Sequence, residues 1–136
     1  MYNIVFYEDK NGFSELNDEL MELAKKADNN KDARIQFKQI TLYIELLKNQ
    51  GTKMSPNITK HLEGEIWELR PGFNRVLYFY FENNTFVLLH MFRKKTQKTP
   101  KSDIEKAHKE CNDYKIRNGG KQLWEHGKIS KRMLKN

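Results

Sequence analysis

Arg75-Val76-Leu77-Tyr78-Phe79-Tyr80-Phe81-Glu82-Asn83-Asn84-Thr85-Phe86-Val87-Leu88-Leu89-His90-Met91-Phe92 is the stretch that decides the fold. Its β-branched and aromatic residues suit a pleated sheet surface. Asn83-Asn84 divides it into two runs, and Asn tolerates the left-handed angles of a two-residue hairpin turn. Just upstream, Glu65-Ile66-Trp67-Glu68-Leu69-Arg70 alternates polar with apolar, and Pro71-Gly72-Phe73-Asn74 is a turn. A three-strand meander results.

Outward from the meander the pattern changes. Tyr2-Asn3-Ile4-Val5-Phe6-Tyr7 reads as a first strand, ending in the turn Asp9-Lys10-Asn11-Gly12. Phe13, Leu16, Leu20, Leu23, Ala24 and Ala27 follow at helical spacing, with Ser14 as a cap. Asp28-Asn29-Asn30 breaks that helix, and Ala33, Phe37, Ile40, Ile44 and Leu47 form the apolar stripe of a second one, which stops near Gly51. Thr99-Pro100 opens a third helix, with Ser102 and Glu105 at capping-box spacing, and Asn118-Gly119-Gly120 closes it. The order β-α-α-β-β-β-α predicts an α+β fold: one small, twisted, mainly antiparallel sheet with helices packed on one face. An antiparallel sheet tolerates a wet second face, where chemistry would sit.

The chain has 136 residues and a formal net charge of +7. That length suits one domain, expected over residues 1–118, with a basic extension over 119–136. Residues 1–92 carry 11 Lys/Arg against 13 Asp/Glu, whereas residues 93–136 carry 14 against 5. The cationic last third would attract polyanions by steering and counterion release, or simply form a solvated face. The single cysteine, Cys111, excludes an internal disulfide and a cysteine-cage metal site. Apolar runs are far too short for a membrane span and the N-terminus lacks signal-peptide character, so a cytoplasmic protein is expected. No Walker loop, GxGxxG, HExxH or GxSxG occurs, which removes the usual support for nucleotide-dependent, dinucleotide, zinc or serine chemistry.

Two places concentrate cations near possible chemistry. Arg70 and Arg75 flank one turn, where two guanidinium forks would clamp a phosphate, or else bridge as rim residues to Glu65 or Glu68. Phe92-Arg93-Lys94-Lys95-Thr96-Gln97-Lys98-Thr99-Pro100 leaves a strand just before a helix N-terminus and offers cations, hydroxyls and an aromatic ring for stacking. Lys60 adds a cation and His61 a titratable imidazole before the meander. His90 alternates in register with Phe86, Leu88 and Phe92 and reads as a hydrogen-bonded sheet histidine. His108 and Cys111 share a helix face but make no metal site by themselves.

The segments Lys60-His61-Leu62-Glu63-Gly64-Glu65-Ile66-Trp67-Glu68-Leu69-Arg70, Arg75-Val76-Leu77-Tyr78-Phe79 and Val87 through Pro100 resemble HigB-type toxins of the RelE/ParE superfamily, in the branch related to phage-derived proteins. The resemblance implies a RelE-like fold and a metal-independent, cofactor-free endoribonuclease. Such an enzyme cleaves mRNA, commonly on the translating ribosome, by attack of a ribose 2′-OH on the adjacent phosphate. It also implies neutralisation by a HigA-type helix-turn-helix antitoxin, with a toxin–antitoxin heterotetramer as the assembly. Under it, Arg70 and Arg75 would hold the scissile phosphate, and Lys94 and Lys95 would bind flanking backbone or assist proton transfer. His61 and Glu65 would be acid/base candidates, while Lys60, Phe92, Arg93, Thr96, Gln97 and Lys98 would contact RNA. The alternative within the same superfamily is a ParE-like topoisomerase inhibitor that binds without cleaving anything.

Overall fold

A computed structural model describes residues 1–127, with side chains through residue 119. Its elements are β1 (Asn3–Phe6), α1 (Glu15–Lys26), α2 (Lys31–Gln50), β2 (Thr59–Glu63), β3 (Ile66–Leu69), β4 (Asn74–Tyr80), β5 (Thr85–Arg93) and α3 (Lys101–Gly127). The class is α+β, as the patterns predict. The five strands form one sheet in the order β1-β5-β4-β3-β2, with β1 parallel to β5 and every other pair antiparallel. Asn83 and Asn84 both take left-handed angles (φ 54° and 61°) in the β4–β5 hairpin. The Ser14 side chain accepts from the Asn17 amide at 3.0 Å and caps α1, and Asn30 does the same for α2 through the Ala33 amide.

Four expectations need correction. The order β-α-α-β-β-β-α lacks β2, whose sequence Thr-Lys-His-Leu-Glu is too polar to announce a strand. Thr59 fixes it: its hydroxyl donates to the Glu68 carbonyl at 3.0 Å and lies 2.6 Å from the Tyr78 hydroxyl. The helices do not share one face. Leu16, Leu20, Ile40 and Leu47 of α1 and α2 pack with Leu69, Val76, Tyr78 and Leu88, whereas Ala107 and Cys111 of α3 pack with Ile66, Leu77, Phe79 and Leu89 on the opposite face. Finally, α3 does not stop at Asn118 but runs to Gly127, because a helical glycine costs only about 1 kcal/mol and leaves the hydrogen-bond ladder intact. The boundary expected at residue 118 thus falls within α3, and much of the basic extension over 119–136 lies outside the described residues.

The helix also starts differently. The amides of Asp103 and Ile104 bond the Pro100 carbonyl, so Ser102 is already inside the helix and the Ser102–Glu105 capping box does not form.

A register shift between Leu77 and Tyr78 of β4 and the facing stretch of β5 places Leu77 opposite His90 and Tyr78 opposite Leu88. Leu89 is the extra residue of this bulge. Beyond it the alternation is reversed, and His90 and Phe92 face α3 rather than continuing the Phe86–Leu88 row. His90 is 1% exposed. Its Nδ1 lies 2.7 Å from Glu110 Oε1 and its Nε2 3.1 Å from Asp103 Oδ1, joining β5 to α3. A second tie holds the middle of α3, where the Tyr7 hydroxyl donates to Asp113 Oδ2 at 2.7 Å.

Cys111 sits inside the α3 interface, and burial, with a smaller push from Glu65, raises its thiol from 9.0 to about 11. The folded state therefore favours the protonated thiol. That contribution is fully present below about pH 9 and is lost as pH rises through about 11. Native protein is expected to resist thiol alkylation at pH 8 and to react readily once denatured, a difference read by mass spectrometry.

Candidate functional site

Period-two alternation puts Glu68 and Arg70 on one side of their strand, the side that faces α3. Across the sheet, Glu68 is opposite Leu77 on β4 and opposite Lys60 on β2, and Arg75 is opposite Phe92. Side chains from four strands thereby converge beneath the loop that leads into α3. The result is a groove of about 280 Å³ bordered by Lys60, His61, Glu68, Arg70, Gln97, Lys98 and Thr99, among others.

Glu68 is the centre of this arrangement and is 3% exposed. Its Oε2 lies 3.4 Å from Arg70 Nε and 3.8 Å from Arg75 Nε, and its Oε1 accepts from the Thr99 hydroxyl. The two guanidiniums are held differently. Arg75 Nη1 donates to the carbonyls of Gly72 (2.9 Å) and Asn74 (2.8 Å), which fastens it under its own turn. Burial pushes the Arg75 guanidinium below its usual range; Glu68 opposes that push and Arg70 adds to it. Arg70 Nη1 donates to the Pro56 carbonyl at 3.0 Å, but its buried Nε has no aligned hydrogen-bond acceptor even beside Glu68. A buried donor left in this state is uncommon, and here it borders the groove.

Gly72 fixes the turn between the arginines. Its φ of +61° lies in the left-handed region, and a Cβ there would come within 2.5 Å of Gln39 Oε1 on α2. Asn74 Nδ2 also donates to Gln36 Oε1 of α2 at 3.1 Å. On the other flank the Lys94 amide donates to the Phe73 carbonyl at 2.7 Å, so the loop after β5 is tied to the same turn.

The remaining predicted residues fall at varied distances from this centre. Gln97 and Lys98 border the groove, and the Thr96 hydroxyl shapes their loop by donating to the Lys98 carbonyl at 2.9 Å. Lys94 is half-buried at the strand exit and Lys95 is exposed. Phe92 is half-buried against the α3-side core, with its ring 6.3 Å from the His90 ring. Arg93 points to the other face and lies 5.8 Å from the Phe73 ring centre. The His61 side chain is paired across the sheet with Trp67, packs edge-on to it at 5.2 Å and donates from Nε2 to the Gly64 carbonyl at 2.8 Å. Glu65 is engaged by Lys115 of α3. His61 thus borders the groove beside Arg70 with its ring held against Trp67, whereas Glu65 does not border it.

Thr99 belongs to the site although the sequence reading gave it no role there, and Glu68, read only as one of two carboxylates to which the arginines would bridge, is its centre. The available signal was the Glu68-x-Arg70 spacing, which requires both side chains to share a face. Among the described residues, no group of three His, Cys, Asp or Glu is arranged to hold a metal ion. No helix among them is long and apolar enough to cross a membrane.

The model of the phage-derived Gp49-like proteins (DUF891) matches residues 18–112, a span that contains every groove residue named above. The chain belongs to the Gp49-like family. That is in keeping with the phage-derived branch to which the Lys60–Pro100 segments point. Comparison of this Gp49-like protein with curated proteins finds no match. Among solved structures it is similar to the YoeB–YefM toxin–antitoxin heterotetramer of Staphylococcus aureus, at 15% identity, with 71% of this chain and 98% of that chain covered and a TM-score of 0.45. The Staphylococcus aureus YoeB dimer matches at 15% identity over 70% of this chain and 97% of that chain, also with a TM-score of 0.45.

Proposed function

We propose that this Gp49-like protein is the toxin of a HigB-type toxin–antitoxin pair: an endoribonuclease that cleaves mRNA, arrests translation and is restrained by a helix-turn-helix antitoxin of the HigA type. The observation that carries the reading is the Arg70 guanidinium at the border of a groove, joined through the buried Glu68 carboxylate to a second guanidinium, that of Arg75. A bound phosphodiester would meet the part of the Arg70 guanidinium that borders the groove. Arg70 and Arg75 would share the negative charge that builds on the non-bridging oxygens as the ribose 2′-oxygen attacks phosphorus. Glu68 would take the 2′-OH proton. The P–O5′ bond would break with a proton supplied by a groove ammonium, Lys98 or Lys60. The products would be a 2′,3′-cyclic phosphate and a 5′-hydroxyl, with no metal or cofactor in the route.

Induced expression is expected to halt protein synthesis and to leave transcripts with new internal ends carrying cyclic phosphate. Arg70→Ala is expected to abolish growth arrest while the protein stays folded, because Arg70 is the more exposed of the two guanidiniums and bonds only the Pro56 carbonyl. Growth arrest with intact transcripts, or DNA supercoiling blocked in a gyrase assay, would overturn the ribonuclease reading.

A further inference from the structure

The turn between Arg70 and Arg75 carries a side chain that folding does not use. Phe73 is 64% exposed, although its backbone is held on both sides by the Lys94 amide and by the Arg75 guanidinium on the neighbouring Gly72 and Asn74 carbonyls. An aromatic ring presented to water on a rigid turn is an unused apolar surface. Arg93 approaches it at 5.8 Å from the ring centre, so a cation already sits beside the ring. Arg93, Lys94 and Lys95 lie beside the turn across the sheet or in the loop tied to it, while Arg70 and Arg75 at its base are turned to Glu68, so the outward charge next to the ring is cationic.

We propose that Phe73, supported by Arg93, is a stacking platform for an unpaired RNA base adjoining the phosphate held at Arg70 and Arg75. The proposal rests on the ribonuclease reading given above. Bases offer a π-face whatever their sequence, and their backbone carries the charge that this turn attracts, so single-stranded RNA fits both features together. Phe92, the aromatic residue predicted for stacking, is half-buried in the α3-side core, which leaves Phe73 as the ring at this edge with a free face. The platform would grip any base and so raise affinity more than it selects sequence.

The test uses full-length protein and a short fluorescein-labelled 2′-O-methyl oligoribonucleotide, which lacks the attacking hydroxyl and stays whole during anisotropy titration. Phe73→Ala is expected to weaken binding roughly 5- to 100-fold, in line with the loss of one stacked base, and Phe73→Trp to restore it. A set of oligonucleotides with one abasic position each should contain one member that costs the wild type the same factor and costs Phe73→Ala nothing. Phe73→Ala binding within twofold of wild type, or an abasic penalty that persists in that variant, would overturn the platform while leaving the nuclease reading intact. If Arg70→Ala and wild type bind the probe equally, the nuclease reading fails first and the platform falls with it.

Discussion

Glu68→Gln is expected to lower RNA cleavage by at least about 10²-fold while the affinity for an uncleavable oligonucleotide stays level or rises. Glutamine has nearly the same shape, keeps an oxygen for the Thr99 hydroxyl and removes the negative charge that faces Arg70 Nε at 3.4 Å and Arg75 Nε at 3.8 Å. Proton acceptance is lost, whereas both guanidiniums become freer to bind phosphate. A residue that merely organised the arginines would behave oppositely, losing affinity along with rate. Single-turnover cleavage and anisotropy on the same variant separate these outcomes. Cleavage retained within threefold of wild type would remove Glu68 from the reacting atoms.

His90→Leu is expected to destabilise the fold strongly, by about 3–5 kcal/mol. Both His90 ring nitrogens face carboxylate oxygens, and each contact is a hydrogen bond only if that nitrogen carries hydrogen. Leucine would leave Asp103 and Glu110 facing each other across an apolar side chain. On α1, Glu19 also has a buried oxygen without a partner; burial raises its carboxyl, Glu15 adds to that, and Lys106 and then His90 oppose it. Thermal unfolding would register the loss as a large drop in Tm. Adding Asp103→Asn and Glu110→Gln to His90→Leu should recover part of it, because the stranded charges are then gone. By contrast, His108→Ala should cost under about 1 kcal/mol, since its 2.8 Å contact with Glu63 is exposed.

Much of the architecture was written in local pattern. The Asn83-Asn84 turn, the two capped helices and the meander strands follow from residue type and spacing. The covering of both sheet faces was also legible, in retrospect, from Val76-Leu77-Tyr78-Phe79, a run without polar interruption that alternates between two buried faces. Strand β2 was not, because its stability comes from Thr59 reaching the Glu68 carbonyl and the Tyr78 hydroxyl rather than from its own composition. Arg70 and Arg75 were placed together by the shortness of their turn. Their relation to Glu68 depended on which face each strand presents, and Phe73 was hidden because a turn aromatic has no periodicity to reveal its exposure.

The extra residue at Leu89 decides which changes of length β5 can absorb. Deleting Leu89 itself would close the bulge and leave His90 and Phe92 on the α3 side, whereas deleting Met91 would turn Phe92 to the other face and carry Arg93 to where Phe92 had been. Related chains should therefore keep a constant count between His90 and the basic loop, with any loss of one residue confined to the bulge.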